Sequence, residues 1–137
     1  MKTSKLALAY NTIEDNDYAL MINFLKKRKK LTQSRVTKEF ETRFAKYLGS
    51  KNSVFVNSGS SANLLIAQGL LESKILKNNI VVLPSVSWST SVSPFLQLGY
   101  KVILCDCDKD NLGLNIAHLK KICKKYNPGL VVLVNVL

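Results

Sequence analysis

No stretch of this sequence approaches the roughly 20 apolar residues in a row that a membrane-spanning helix needs. The opening Met1-Lys2-Thr3-Ser4-Lys5-Leu6 also lacks the long apolar core and cleavage site of a secretory leader. A soluble, cytoplasmic protein with no membrane partner is expected. Cysteine is scarce: Cys105, Cys107 and Cys123 are an odd number and form no C-x-x-C motif. Cys105-Asp106-Cys107 invites a metal or redox reading, but with a lone His118 the ligand set is poor, so structural thiols and no metal are expected. Also missing are the Gly-Lys-Ser/Thr of a Walker loop and the spaced glycines of the dinucleotide fingerprint. Acidic residues are few, 9 against 20 basic ones, for a net charge of +11. The excess gathers in Lys26-Lys27-Arg28-Lys29-Lys30 and in Lys120, Lys121, Lys124 and Lys125, beside apolar helical positions. Aromatics do not interleave with it as they would on a base-stacking surface, so a solvated face is expected and nucleic acid is not. Such a charge would still steer an anionic substrate toward the protein.

What is present is a globular composition, 47% hydrophobic and 21% charged over 137 residues, enough for one buried core. The chain is organised around Asn57-Ser58-Gly59-Ser60-Ser61-Ala62-Asn63-Leu64-Leu65. Before it, Ser53-Val54-Phe55-Val56 has the content of a strand; after it, residues 62–76 are dense in Ala, Leu and Ile and predict a helix. A helix beginning at this turn offers unpaired N–H groups and partial positive charge to a phosphate. Gly59 permits close approach, and Ser58, Ser60 and Ser61 bring hydroxyls. Plain helix capping by serine explains the same residues.

Around this centre, Asp15-Asn16-Asp17 opens a helix over residues 15–30, with Tyr18, Met21, Ile22 and Leu25 on one face. Residues 31–35 read as a polar connection. Thr37 caps a second helix carrying Phe40, Phe44, Tyr47 and Leu48, which Gly49 ends. Ile80-Val81-Val82-Leu83, stopped by Pro84, reads as a buried strand. A short helix with Pro94 in its first turn and Gly99 at its close leads to a strand at Val102-Ile103-Leu104-Cys105. Asn115 caps a helix ended by Asn127-Pro128-Gly129, and residues 130–137 read as one apolar run with Asn135 inside it. Four strands alternating with helices imply a parallel sheet covered on both sides, whose ligands bind beyond the carboxyl ends of the strands. That rule puts the serine turn and Pro84-Ser85-Val86-Ser87-Trp88 on one rim. Trp88 then either fills space under the rim or stacks on a flat heteroaromatic ring.

Phe40-Glu41, Phe44-Ala45-Lys46-Tyr47-Leu48-Gly49, the stretch from Val56 through the serines to Leu65, and Pro84-Ser85-Val86-Ser87-Trp88-Ser89-Thr90 together make the chain resemble the beginning of a DegT/DnrJ/EryC1/StrS sugar aminotransferase. The resemblance runs from about Leu31 onward. It implies an α/β fold, the parallel-sheet sandwich of the large domain of fold type I (aspartate aminotransferase-like) enzymes that depend on pyridoxal phosphate, in truncated form. Residues 1–137 would hold N-terminal helices and the first part of that domain, a fragment lacking the rest of the large domain and a C-terminal small domain. The cofactor is pyridoxal or pyridoxamine 5'-phosphate. Its phosphate falls to Ser60 and Ser61, with Gly59 and Ala62 as close neighbours, and its ring stacks on Trp88.

The implied activity is transamination of a nucleotide-linked keto-deoxysugar, with glutamate as amino donor, in the synthesis of cell-surface polysaccharide or lipopolysaccharide sugars by a homodimer. Ser58 to Leu65 also resembles the sugar 3-dehydrase branch of the same fold, in which a histidine replaces the Schiff-base lysine. Either deciding residue is expected beyond position 137, so no catalytic residue is assigned here and the chain alone is expected to be inactive. Ser34, following Gln33 where members often carry Gly, departs from the pattern. A reading from another class is a basic binding module built on the lysines at 26–30.

Overall fold

The computed structural model describes residues 10–135, and the chain divides into two compact units after Phe55. The first unit carries α1 (Asp15–Lys26) and α2 (Arg35–Leu48). Glu14 and Asp17 close a capping box at the start of α1, and Asp15 adds to the acidic first turn. The helix ends four residues short of the expected position, with Arg28 left-handed at φ 47°. Continuing it would align the like charges of the basic run with one another along the last turn. α2 starts two residues before Thr37, from an N-cap at Ser34, so Thr37 lies inside the helix and does not cap it. Gly49 ends α2 as expected, at φ 69°, a conformation that costs glycine least. Phe40 stacks on Phe44 at 5.5 Å and meets Phe55 edge-on at 5.4 Å.

The second unit contains α3 (Gly59–Ser73), β1 (Ile80–Pro84), a 3-10 turn (Ser89–Ser91), α4 (Ser93–Gln97), β2 (Lys101–Cys105), α5 (Ile116–Tyr126) and β3 (Leu130–Val131). The strands form a three-stranded parallel sheet in the order β2-β1-β3. The β-branched run of β1 is central, and Val81, Val82 and Leu83 have no exposed surface. Because strand side chains alternate, Val81 and Leu83 face one cluster with Ala67 of α3, Phe95 of α4 and Tyr100, while Val82 faces another with Cys105, Leu114 and Ile122 of α5. Helices therefore cover both faces of the sheet, as expected for a parallel sheet.

The expected strand at Ser53-Val54-Phe55-Val56 does not form. A strand needs a neighbour for its backbone groups, and here the Phe55 N–H donates to the Glu41 carboxylate at 2.8 Å while the Ser53 hydroxyl donates to the Glu41 carbonyl at 2.7 Å. α3 also begins and ends three residues earlier than expected, so the serines are its first turn and not a separate loop. The expected helix end at residue 76 gives way to Lys74 in a left-handed conformation, φ 53°. The short helix with Pro94 in its first turn and the Asn115-capped helix both form, the Asn115 side chain accepting from the His118 N–H at 2.9 Å. Only Leu130–Val131 of the last apolar run is strand, and positions 136 and 137 lie outside the described residues.

Candidate cofactor site

The serine stretch is positioned by ordinary capping. Ser58, extended at φ −160° and ψ 160°, is the N-cap of α3, and its hydroxyl oxygen accepts from the Ser61 N–H at 3.2 Å. The Ser61 hydroxyl donates to Asn57 Oδ1 at 2.7 Å, and the Ala62 N–H is taken by the Ser58 carbonyl at 3.1 Å. Gly59 and Ser60, as the first two helical residues, have no intrahelical acceptor for their N–H groups. A methyl added at Gly59 would meet only open space, so the backbone there is accessible.

Beside this turn lies an open cavity of about 240 Å³, lined by Ser60, Ser61, Thr90, Ser93 and Gln97 with Leu64 and Pro94 as apolar wall. Every lining side chain is neutral, and three of the seven are serines. The structure thus brings the serine turn together with the segment that follows β1. It does so through a hydrogen bond: Asn63 Nδ2 donates to the Thr90 carbonyl at 3.1 Å. Trp88 is not among the lining residues. It stands two positions before Thr90 at the N-cap of the 3-10 turn, and its side chain is 83% exposed, so it does not fill space under the rim.

Asn57, Asn63 and Thr90 were not assigned roles from the sequence. The available signal was composition: asparagine inside an apolar helix is unfavourable unless its side chain finds a partner, and Asn63 is flanked by Ala62, Leu64 and Leu65. The thiols are free. Cys105 is buried at the end of β2, where burial, then Asp106 and Cys123, push its thiol above the ordinary value. His118 Nδ1 accepts the Asp106 N–H at 3.0 Å, which gives the single histidine a structural partner. Among the described residues no group of three His, Cys, Asp or Glu side chains could hold a metal ion, and no helix is long and apolar enough to cross a membrane.

Comparison with known proteins adds a lineage to this geometry. The sequence profile of the DegT/DnrJ/EryC1/StrS aminotransferase family matches residues 12–137. A GDP-4-keto-6-deoxy-D-mannose 3-dehydratase of Escherichia coli O55:H7 is 38% identical over 117 residues, covering 83% of this chain and 30% of the relative. The chain therefore spans under a third of that protein's length. The solved structure of the E. coli GDP-4-keto-6-deoxy-D-mannose-3-dehydratase with bound hydrated PLP superposes with a TM-score of 0.68 at 35% identity, over 83% of this chain and 30% of that one. The Helicobacter pylori aminotransferase PseC, of pseudaminic acid biosynthesis, gives 0.78 over 95% of this chain and 34% of its own, and at 22% identity shares the fold alone. The shared architecture is the expected one, the large domain of PLP-dependent fold type I enzymes, of which this chain covers part.

Proposed function

We propose a function from one premise: the chain belongs to the DegT/DnrJ/EryC1/StrS aminotransferase family. The full-length protein is a pyridoxal- or pyridoxamine-phosphate enzyme acting on a nucleotide-linked keto-deoxysugar, and within that class a 3-dehydratase. The observation that carries the dehydratase reading is the 38% identity to the GDP-4-keto-6-deoxy-D-mannose 3-dehydratase. The second reading is transamination of a keto sugar with glutamate as donor, favoured by the family description itself. A lysine or a histidine separates the two, and neither is assigned to a position in this chain.

The residues present fit the cofactor. A phosphate dianion is best met by donors without a competing carboxylate, and the cavity at α3 offers neutral donors only. The N–H groups of Gly59 and Ser60 and the Ser60 hydroxyl would hold the phosphate, with the positive end of the α3 dipole behind them. The Ser61 hydroxyl, donating to Asn57, holds its oxygen and the local backbone in place. Ala62 keeps the turn small, and the exposed indole of Trp88 offers a face for the flat ring. When bound, the cofactor supplies an electron sink for the reacting carbon of the substrate. This chain's own contribution is to bind and orient: donors at one end and an aromatic face at the other restrict how the ring can lie.

The test uses the full-length protein with pyridoxal phosphate, glutamate and GDP-4-keto-6-deoxy-D-mannose, followed by mass spectrometry of the sugar. Loss of the 3-hydroxyl supports the dehydratase reading and gain of an amine supports the aminotransferase. An unaltered sugar removes this substrate from the proposal.

A further inference from the structure

Among the described residues, the hydrogen bonds that place the indole the proposed site needs run through its backbone. Trp88 is 83% exposed, so the core formed by the described residues does not orient it. Its carbonyl accepts the Ser91 N–H at 2.9 Å, and the Ser89 carbonyl accepts the Val92 N–H at 3.0 Å, which makes residues 88–92 one short 3-10 turn. The side-chain bond from α3 into that turn comes from Asn63, through Nδ2 to the Thr90 carbonyl at 3.1 Å, between residues 27 apart in sequence. Asn63 lies within about one helical turn of Ser60. The phosphate donors and the anchor of the tryptophan turn therefore sit on one rigid element.

We propose that Asn63 is a positioning residue: by holding the Thr90 carbonyl to α3, it sets the separation between the Gly59 and Ser60 phosphate donors and the Trp88 indole, so that one rigid ligand reaches both. Asn63 touches neither the phosphate nor the ring in this scheme and acts through residues 88–92. Alanine or leucine at position 63 would suit the helix better but could not donate to the carbonyl, and the shorter serine could not span to it. The inference rests on the cofactor reading given above.

A double-mutant cycle decides it, using dissociation constants for pyridoxal phosphate measured by absorbance titration on the full-length protein: wild type, Asn63→Ala, Trp88→Ala and the double variant. Each single substitution is expected to weaken binding roughly tenfold, and the double to bind no more weakly than Trp88→Ala alone, because without the indole there is nothing left to position. Multiplying effects, roughly a hundredfold in the double variant, would mean that Asn63 serves general stability and would overturn the inference while leaving the cofactor reading intact. Wild-type affinity in Trp88→Ala would bring down both the stacking and the positioning. Inorganic phosphate, which needs only the first turn of α3, is expected to bind wild type and Asn63→Ala alike. Asn63→Leu, which keeps the volume and removes the donor, replaces Asn63→Ala in the cycle if the alanine variant does not fold.

Discussion

Leu83 and Leu104 are register partners on adjacent parallel strands, yet Leu83 has no exposed surface and Leu104 is 50% exposed. Partners across a ladder point to the same side of the sheet, so the difference lies in what covers them. Leu83 sits on the central strand under α3 and α4, and Leu104 is near the end of the edge strand. Leu83→Ala is expected to cost about 2–5 kcal/mol and Leu104→Ala about 1 kcal/mol or less, measured by urea denaturation. Equal costs would contradict the layering described here.

Tyr100 supplies a pH-dependent contribution. It is 5% exposed, its hydroxyl donates to the Ala67 carbonyl at 2.9 Å, and burial raises its phenol above the ordinary value. Tyr100→Phe is expected to lose about 1 kcal/mol near neutral pH. The raised folded value means that the neutral phenol stabilises the fold below the unfolded value, and that this advantage is lost as pH rises through the folded one. The deficit of Tyr100→Phe relative to wild type therefore shrinks above about pH 10. A deficit that stays constant from pH 8 to 11 would refute the assignment.

Gly129 and Asn78 form a close joint where α5 returns to the sheet. Asn78 Oδ1 accepts the N–H groups of Ile80 at 3.0 Å and Gly129 at 2.9 Å, and its Nδ2 donates to the Asn127 carbonyl at 2.9 Å. A methyl on Gly129 would run into the Asn78 carbonyl oxygen. Gly129→Ala is expected to destabilise by about 1–3 kcal/mol despite an ordinary backbone angle, and Asn78→Ala by a similar amount, both read from thermal unfolding. A stable Gly129→Ala would show that the joint opens without cost.

Two N-caps give an internal control. Asn115 bonds the His118 N–H, whereas Ser34 occupies the N-cap of α2 with no side-chain cap bond. Asn115→Ala is expected to cost about 1 kcal/mol and Ser34→Ala a small fraction of that, by chemical denaturation. The reverse order would show that cap geometry is not what matters at these ends.

At the proposed cofactor site, Ser60→Ala in the full-length protein is expected to weaken pyridoxal phosphate roughly tenfold or more, since a hydrogen bond to a charged group is lost. Combined with Trp88→Ala, the bound-cofactor absorbance band should vanish at concentrations that saturate wild type. An unchanged band would remove both residues from the site.

Much of this architecture is carried by short-range signals. Gly49 stops α2, Asn115 starts α5, Pro94 opens α4 and the unbroken apolar run of Ile80–Pro84 announces a buried strand, because caps, stops and burial patterns depend on residues a few positions apart. The serines were legible as a capping turn, but α3 begins three residues earlier than expected and takes them in as its first turn. Tertiary structure settled the rest. Val54 and Phe55 have strand composition but no ladder, since their neighbourhood offers the Glu41 carboxylate in place of a pairing strand. Asn63 gains its meaning only when Thr90, far along the chain, is brought beside it. Pairing partners and covering layers are set by contacts distant in sequence, and no local pattern of residues encodes which of two equal leucines will be buried.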